Sequence, residues 1–276
     1  VTLPNAAWVE AQLANAGHTI KVHAFDALGS TNVWLAENDI SAGVCITDHQ
    51  QAGHGRRGRS WQSLPGNITV SIAQRVPIPM SAAPVISLVT GIACAEALRT
   101  STGVDVQVKW PNDLLVSGAK LGGLLHESVQ KESGLRIIGG IGVNLVQDER
   151  LSALGIGGTC LAEHGVASSR RDELVATMVA AVLDAWQECV ASGWGAFAQR
   201  WQAVDALAGQ PVRVFTGRPE QADDRDQGQV KDREQDCDGV ACGVDDSGAL
   251  QVRVSASRTM SVHAGDVTVR RRPGQQ

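Results

Sequence analysis

Apolar and polar positions alternate over Thr19 to Phe25 and over Asn67 to Val76, while Gly43 to His49 is a short apolar run, and each segment predicts a strand. Trp8 and Leu13 mark a first short helix. Asp26 to Ser30 reads as a loop, and Ser30 or Thr31 can cap a helix holding Trp34 and Leu35. Residues 50–66 are polar and broken by glycine and proline, so they predict a long loop. Ala82 to Thr100 predicts a helix closed by Gly103. Four short runs follow, Val106 to Trp110, Leu114 to Val116, Leu121 to Val129 and Leu135 to Leu145, separated by turn signals in the manner of an antiparallel meander. Helical spacing returns with Val175, Val179, Val182, Trp186 and Val190, then with Phe197, Trp201 and Val204, and Gly209 is read as closing the helical pair. From residue 210 onward only short strands are predicted, consistent with a small barrel. The pattern therefore divides the chain into a larger domain, 1–209, and a smaller one, 210–276.

Composition narrows the classes. The 276 residues are 43% apolar and 19% charged, enough for a sizeable core. The longest uncharged stretch, Val76 to Ala95, is broken by Pro77, Pro79 and Pro84 and fits a loop feeding a core helix better than a membrane span. No Lys- or Arg-led apolar segment opens the sequence, so the six cysteines are read as reduced thiols of a cytoplasmic protein. They lack paired metal spacing, and no metal site is assigned. There is no Tyr, which removes phenol chemistry. The net charge of −5 comes from one insertion, 220–238, with eight acids and three bases; 24 basic residues less 3 and 29 acidic less 8 leave 21 of each elsewhere. The body is neutral, and any anion must be met locally.

The local candidate is Gly53-His54-Gly55-Arg56-Arg57-Gly58-Arg59, with three guanidinium groups and three glycines in seven residues. Glycines allow close backbone approach, and Arg forks bind phosphate oxygens bidentately. A solvated surface loop is the bland alternative. Gly53, Gly55 and Gly58 have G-x-G-x-x-G spacing, but a strand rather than a helix follows, which excludes the dinucleotide fingerprint, and no P-loop occurs. Lys109-Trp110-Pro111-Asn112-Asp113 ends a strand in a tight turn, and Lys120 across the next hairpin can reach Asp113. Either a surface ion pair or an ammonium over a flat ligand resting on Gly122 and Gly123 follows from that spacing. Asn144 ends the strand Gly140 to Asn144 and could read a purine edge, though a turn accounts for it equally.

Taken in order, Gly29-Ser30-Thr31-Asn32, Gln50 to Trp61, Lys109 to Asp113, Lys120-Leu121-Gly122-Gly123-Leu124 and Gly140 to Asn144 resemble the bacterial biotin protein ligases. The resemblance runs from about residue 26 to 145, with a C-terminal small domain at 210–272. It implies an α+β fold of the class II synthetase-like, biotin/lipoate ligase type: a mixed or antiparallel sheet with helices on one side, and a C-terminal SH3-like β-barrel. It implies an ATP-dependent ligase that activates biotin to biotinyl-5′-AMP, with Mg²⁺, and passes biotin to a lysine of a biotin carboxyl carrier protein.

Residue by residue, the resemblance gives a biotin pocket of Ser30, Thr31, Asn32, Gln50, Gly53, His54, Gly55, Arg56, Lys120 and Gly123. The ATP and adenylate side takes Arg56, Arg57, Arg59, Trp61, Lys109, Asn112, Asp113, Lys120 and Asn144, and Lys120 and Arg56 act in catalysis. His54 departs from the family's usual Gly-Arg-Gly, and Gly122 stands where the family often has Ala, read here as neutral. Fewer than 30 residues precede Gly29, which leads to the expectation of a monofunctional ligase without DNA repression. The family allows a homodimer; neither DNA nor membrane is an expected partner. Lipoate ligation is the nearest alternative. A nucleic-acid-binding module using the Arg loop and Trp61 is the alternative from another class, and the neutral body argues against it.

Overall fold

The computed structural model describes residues 3–61, 63–131, 134–149, 157–216, 236–264 and 267–271. The chain divides into two compact units, Val1–Ala206 and Leu207–Gln276. In the larger unit, helix α1 (Ala6–Asn15), strand β1 (Val22–Leu28), helix α2 (Thr31–Glu37) and strand β2 (Gly43–Gln50) precede the long loop. Strand β3 (Ile68–Val76) and helix α3 (Ala83–Thr102) follow, then β4 (Val106–Lys109), β5 (Asp113–Val116), β6 (Ala119–Lys131) and β7 (Gly134–Val143). Helices α4 (Arg171–Ser192) and α5 (Ala198–Val204) complete it.

The strands form one sheet in the order β1-β2-β3-β7-β6-β5-β4. β1 and β2 are parallel and the remaining neighbours antiparallel, so the sheet is mixed. The predicted meander forms, and its β5–β6 turn is built by Ser117 and Gly118, both at positive φ (50° and 83°), the backbone that matches strand twist. β1 differs from expectation. It continues past Phe25, because pairing with β2 sets Ala27 opposite His49 and Leu28 opposite Gln50.

Local signals place the helix ends. Asn5 accepts a hydrogen bond from Trp8 N at 3.1 Å to cap α1, and Gly103 at φ 73° ends α3. Asp172 and Glu173 sit in the first turn of α4, where the helix dipole favours negative charge. The spans 80–102 and 168–192 have the length and hydropathy of membrane crossings, yet 67% and 56% of their apolar windows are buried within the protein, as core helices require. α5 stops at Asp205, short of Gly209, which sits at φ 69° in a turn before the next strand.

The smaller unit is a five-stranded antiparallel sheet of β8 (Pro211–Thr216), β9 (Cys237–Val244), β10 (Leu250–Ser255), β11 (Arg258–Val262) and β12 (Val267–Arg271), ordered β11-β10-β9-β8-β12. Its core is Val212, Val214, Ala241, Leu250, Val252 and Val262. Of the acidic insertion, residues 220–235 lie outside the described residues.

Two consecutive glycines of β7 show how the main sheet is covered. A Cβ on Gly139 would meet His126 and Trp186, whereas one on Gly140 would meet Asn32 of α2. Successive strand residues face opposite sides, so α4 covers one face and the short α2 lies on the other. On the α4 side, Thr90 Oγ1 donates to Ile86 O at 2.8 Å, which commits its only hydrogen. It must therefore accept from both Trp186 Nε1 and His126 Nε2, each at 2.9 Å, so His126 carries its proton on Nε2.

Burial pushes the His126 pKa down from 6.5 to about 4. The unfolded chain takes up a proton below pH 6.5 that the folded chain refuses, so stability present above 6.5 is lost as pH falls towards 4. Between pH 7 and pH 5 this site alone should cost about 2 kcal/mol. Urea titrations of the wild type and His126→Gln should show the smaller pH dependence in the variant; equal losses would remove His126 as the cause.

Candidate active site

The face opposite α4 carries a chain of polar side chains. Thr31 N donates to Gln50 Oε1 at 2.8 Å and Thr31 Oγ1 lies 3.1 Å from the same oxygen, joining the start of α2 to the end of β2. Ser71 of β3 donates to Asn32 Oδ1 at 2.6 Å and lies 2.6 Å from Thr31 Oγ1. Asn32 Nδ2 then donates to Glu127 Oε2 at 2.7 Å and Leu125 O at 3.3 Å on β6. Thr31, Asn32 and Ser71 are at most 4% exposed, so these bonds are made in a low-dielectric setting where each is stronger and its loss dearer. Ser30 occupies the N-cap of α2 but its side chain makes no capping bond.

The Arg-rich segment is a folded hairpin rather than a free coil. Trp61 N donates to Gly53 O at 2.8 Å and Gly55 N to Arg59 O at 2.7 Å, His54 bridges Ser60, and a tight turn over Arg56–Gly58 closes it with Arg57 at φ 61°. The hairpin's last residue lands on the sheet. A Cβ on Gly142 of β7 would come within 2.5 Å of the Trp61 indole, and one on Gly123 of β6 within 3.6 Å. The indole thus lies on a floor that exists because Gly142 lacks a side chain, while Gly123 beside it leaves ordinary contact distance.

Lys120 stands over that indole, with Nζ 5.9 Å from the ring and 2.6 Å from Asp113 Oδ1. Its ammonium and the Asp113 carboxylate are each about a quarter exposed. Arg56 Nη1 approaches Asn112 Oδ1 at 3.4 Å, and Asn112 Nδ2 donates to Leu124 O at 2.7 Å, tying the hairpin to the Lys109–Asp113 turn. Burial lowers the Arg56 pKa from its ordinary value, with Arg57 and Arg59 adding to the effect and Asp113 opposing it. Such a guanidinium gains from a bound anion. Gly140 and Gly142, two residues apart on β7 and hence about 7 Å, put the Asn32 network and the Trp61–Lys120 arrangement side by side on one surface.

The structure brings most of the predicted residues to this face and sorts their tasks. Gly53 is buried because a Cβ there would strike Trp61 O at 2.5 Å, while His54, Arg57 and Arg59 are exposed on the hairpin. Lys109 is the last residue of β4, paired with Asp113. Asn144 is buried, and its Nδ2 donates to Thr159 O at 3.1 Å, which ties the end of β7 to the segment after residue 156. Gly122 is corrected. A Cβ there would fall 2.4 Å from Gly142 O, a backbone atom, so Ala would not be neutral in this chain. Only Gly123 of the Gly122-Gly123 pair lies under the Lys120 side chain, and the flat group resting on it is the protein's own Trp61. Ser71, Glu127 and Gly142 were not singled out from sequence. Ser71 and Glu127 look like ordinary polar positions of alternating strands, and only strand register places them beside α2.

The chain matches the model of the biotin/lipoate A/B protein ligase family over residues 26–144. It is 32% identical over 241 residues to the biotin–[acetyl-CoA-carboxylase] ligase of Paracoccus denitrificans, covering 84% of this chain and 93% of that one. To the bifunctional ligase/repressor BirA of Escherichia coli it is 32% identical over 229 residues, which cover 81% of this chain and 66% of that protein's length. The fold resembles the biotin protein ligase from Aquifex aeolicus solved in complex with biotin and ATP, with TM-score 0.75 at 22% identity over 92% of this chain and 99% of that one.

Gly142→Ala should unseat Trp61, since the added carbon has no room beneath the ring. Displacing a half-buried aromatic forfeits on the order of 1.5 kcal/mol of apolar burial, enough to raise the open population of the hairpin about tenfold. Limited trypsinolysis at Arg56, Arg57 and Arg59 reads that population. Cleavage as slow as in the wild type would show that the glycine floor does not hold the hairpin.

Proposed function

The chain belongs to the biotin/lipoate A/B protein ligase family, and from that premise we propose that it is an ATP-dependent biotin protein ligase whose acceptor is a lysine of a biotin carboxyl carrier protein, working in the cytoplasm. The observation that carries the choice of biotin is the polarity of the Thr31–Gln50 pair. Ser71 gives its hydrogen to Asn32, so Thr31 must give its own to Ser71 or Gln50. Thr31 Oγ1 is left as an acceptor. Gln50 Oε1 is taken by Thr31, which leaves Gln50 Nε2 as a donor. An acceptor beside a donor complements the N–H and C=O of a cyclic urea. The dithiolane ring of lipoate has neither group and would leave this pair unmatched.

In the first step the biotin carboxylate oxygen forms a bond to the α-phosphorus of ATP, and the bond from that phosphorus to the pyrophosphate oxygen breaks. Two anions must meet, so the barrier is charge repulsion and positioning rather than nucleophile activation. Lys120, held between Asp113 and the Trp61 ring, supplies a preoriented positive charge, and Arg56 supplies a second from the hairpin. In the second step the carrier's lysine nitrogen bonds to the acyl carbon and AMP departs. The hairpin of residues 53–61 shields the mixed anhydride from water until then.

Mg²⁺ fits this site as a companion of the nucleotide. Among the described residues no group of three or more His, Cys, Asp or Glu could hold an ion alone, and this small dication characteristically takes one or two carboxylates together with substrate phosphates. Asp113 is the carboxylate that would serve, and the ion would offset phosphate charge.

A mass-shift assay with biotin, MgATP and a carrier domain tests the whole reading: a gain of one biotinyl group is expected, and transfer of lipoate instead would overturn it. Lys120→Ala should slow pyrophosphate release by ~10²-fold, the size associated with removing one preorganised stabiliser of developing charge. Near-normal release would take Lys120 out of the first step.

A further inference from the structure

Arg136 is a charged residue in an otherwise apolar strand, and it takes no direct part in the chemistry described above. It lies on β7 two positions before Ile138 and four before Gly140, so it shares their face of the sheet. Its side chain is buried, at 6% exposure. Nη2 donates to Leu35 O at 2.8 Å and Ile40 O at 2.9 Å, and Nη1 lies 3.5 Å from Asp39 Oδ1. Leu35 lies in the last turn of α2, and Asp39 and Ile40 lie just beyond its C-cap, Asn38.

That end needs help. Ile40 N donates to Leu35 O at 3.1 Å and Asp39 N to Ala36 O at 3.2 Å, the two bonds of a Schellman cap. The position after the C-cap in such a motif is left-handed and favours glycine, but here it is Asp39 at φ 47°. The guanidinium compensates by binding the carbonyls and the carboxylate together, and by putting a cation at the negative end of the helix. Leu35 and Ile40 meanwhile pack with Cys45, Ala73 and Ile138, which seats the same end on the sheet.

We propose that Arg136 is a positioning residue for biotin, acting through α2; this rests on the ligase reading above. α2 has seven residues and is only about 10 Å long. Thr31 and Asn32 at its start therefore cannot stay in register with Gln50, Ser71 and Glu127 if its end is loose. Arg136 fixes the end, and the polar chain fixes the start. The nucleotide side rests on the Trp61 hairpin and Lys120, which α2 does not carry, so loss of Arg136 separates the two substrates.

The test compares wild type, Arg136→Met, Arg136→Lys, Asp39→Gly and the double variant Arg136→Met/Asp39→Gly by biotin titration and steady-state kinetics on the full chain. Arg136→Met should weaken biotin about tenfold, in Kd and KM alike, while kcat and the KM for ATP stay within about twofold, a small misplacement of binding groups being enough for that. Asp39→Gly alone should leave activity unchanged. Placed in the Met variant it should return biotin affinity to within about threefold of wild type, because glycine closes the cap unaided. If Arg136→Met does not fold, Arg136→Lys and the double variant give the same comparison. Unchanged biotin affinity, or equal losses for biotin and ATP, would overturn the positioning role. A wild type that binds no biotin would overturn the ligase reading and this inference with it.

Discussion

The site depends on one packing constraint: the centre of the sheet's open face carries no side chains. Gly140 and Gly142 on β7 lie where any Cβ would strike Asn32 or Trp61, and Gly123 on β6 adjoins the same ring. Because those carbons are missing, a helix and a hairpin from elsewhere in the chain settle directly on backbone. Asn32 brings the polar chain and Trp61 brings the Arg-bearing hairpin. Each glycine gives up backbone stability in a strand relative to a larger residue. The return is a flat floor on which segments from elsewhere in the chain find one position.

Electrostatics follows from that arrangement. The body of the protein is neutral outside one acidic insertion, so the field at the site comes from a few groups at close range. Lys120 reaches Asp113 diagonally across the β5–β6 hairpin, whose register sets Leu115 opposite Lys120 and Gly123 opposite Asp113, and Arg56 is tied through Asn112 to the β4–β5 turn that Asp113 ends. Positive charge is thus concentrated where the proposed nucleotide phosphates would lie, without making the whole surface attractive to polyanions, as a nucleic-acid binder would need.

Much of this was legible in the sequence, and what was not has physical reasons. Alternation located the strands of the sheet, glycine and proline marked the turns, and the Asp113–Lys120 pairing followed from a hairpin of known spacing. β1 ran past its predicted end because parallel pairing with β2 outweighed local pattern. The bond from Asn144 to Thr159 O carried no local signal, because it joins the end of β7 to a segment fifteen residues on. Ser71, Glu127 and Arg136 carried no local signal, since each matters only through the register of β3, β6 and β7 beneath α2. The seat of Trp61 on Gly142 is a long-range contact that spacing alone does not reveal.

The Asp113–Lys120 pair also sets a threshold for what the site will hold at rest. An ammonium with no partner would collect chloride or inorganic phosphate from the surroundings and would have to shed it before each turnover. With Asp113 at 2.6 Å, the lysine is already occupied by a group that cannot diffuse away. A weakly interacting monoanion gains too little to displace it. On the proposed reading, a nucleotide that brings several oxygens, a cation for the released carboxylate and a ring for the neighbouring surface would do so, and selectivity among anions would then arise from competition with an internal one.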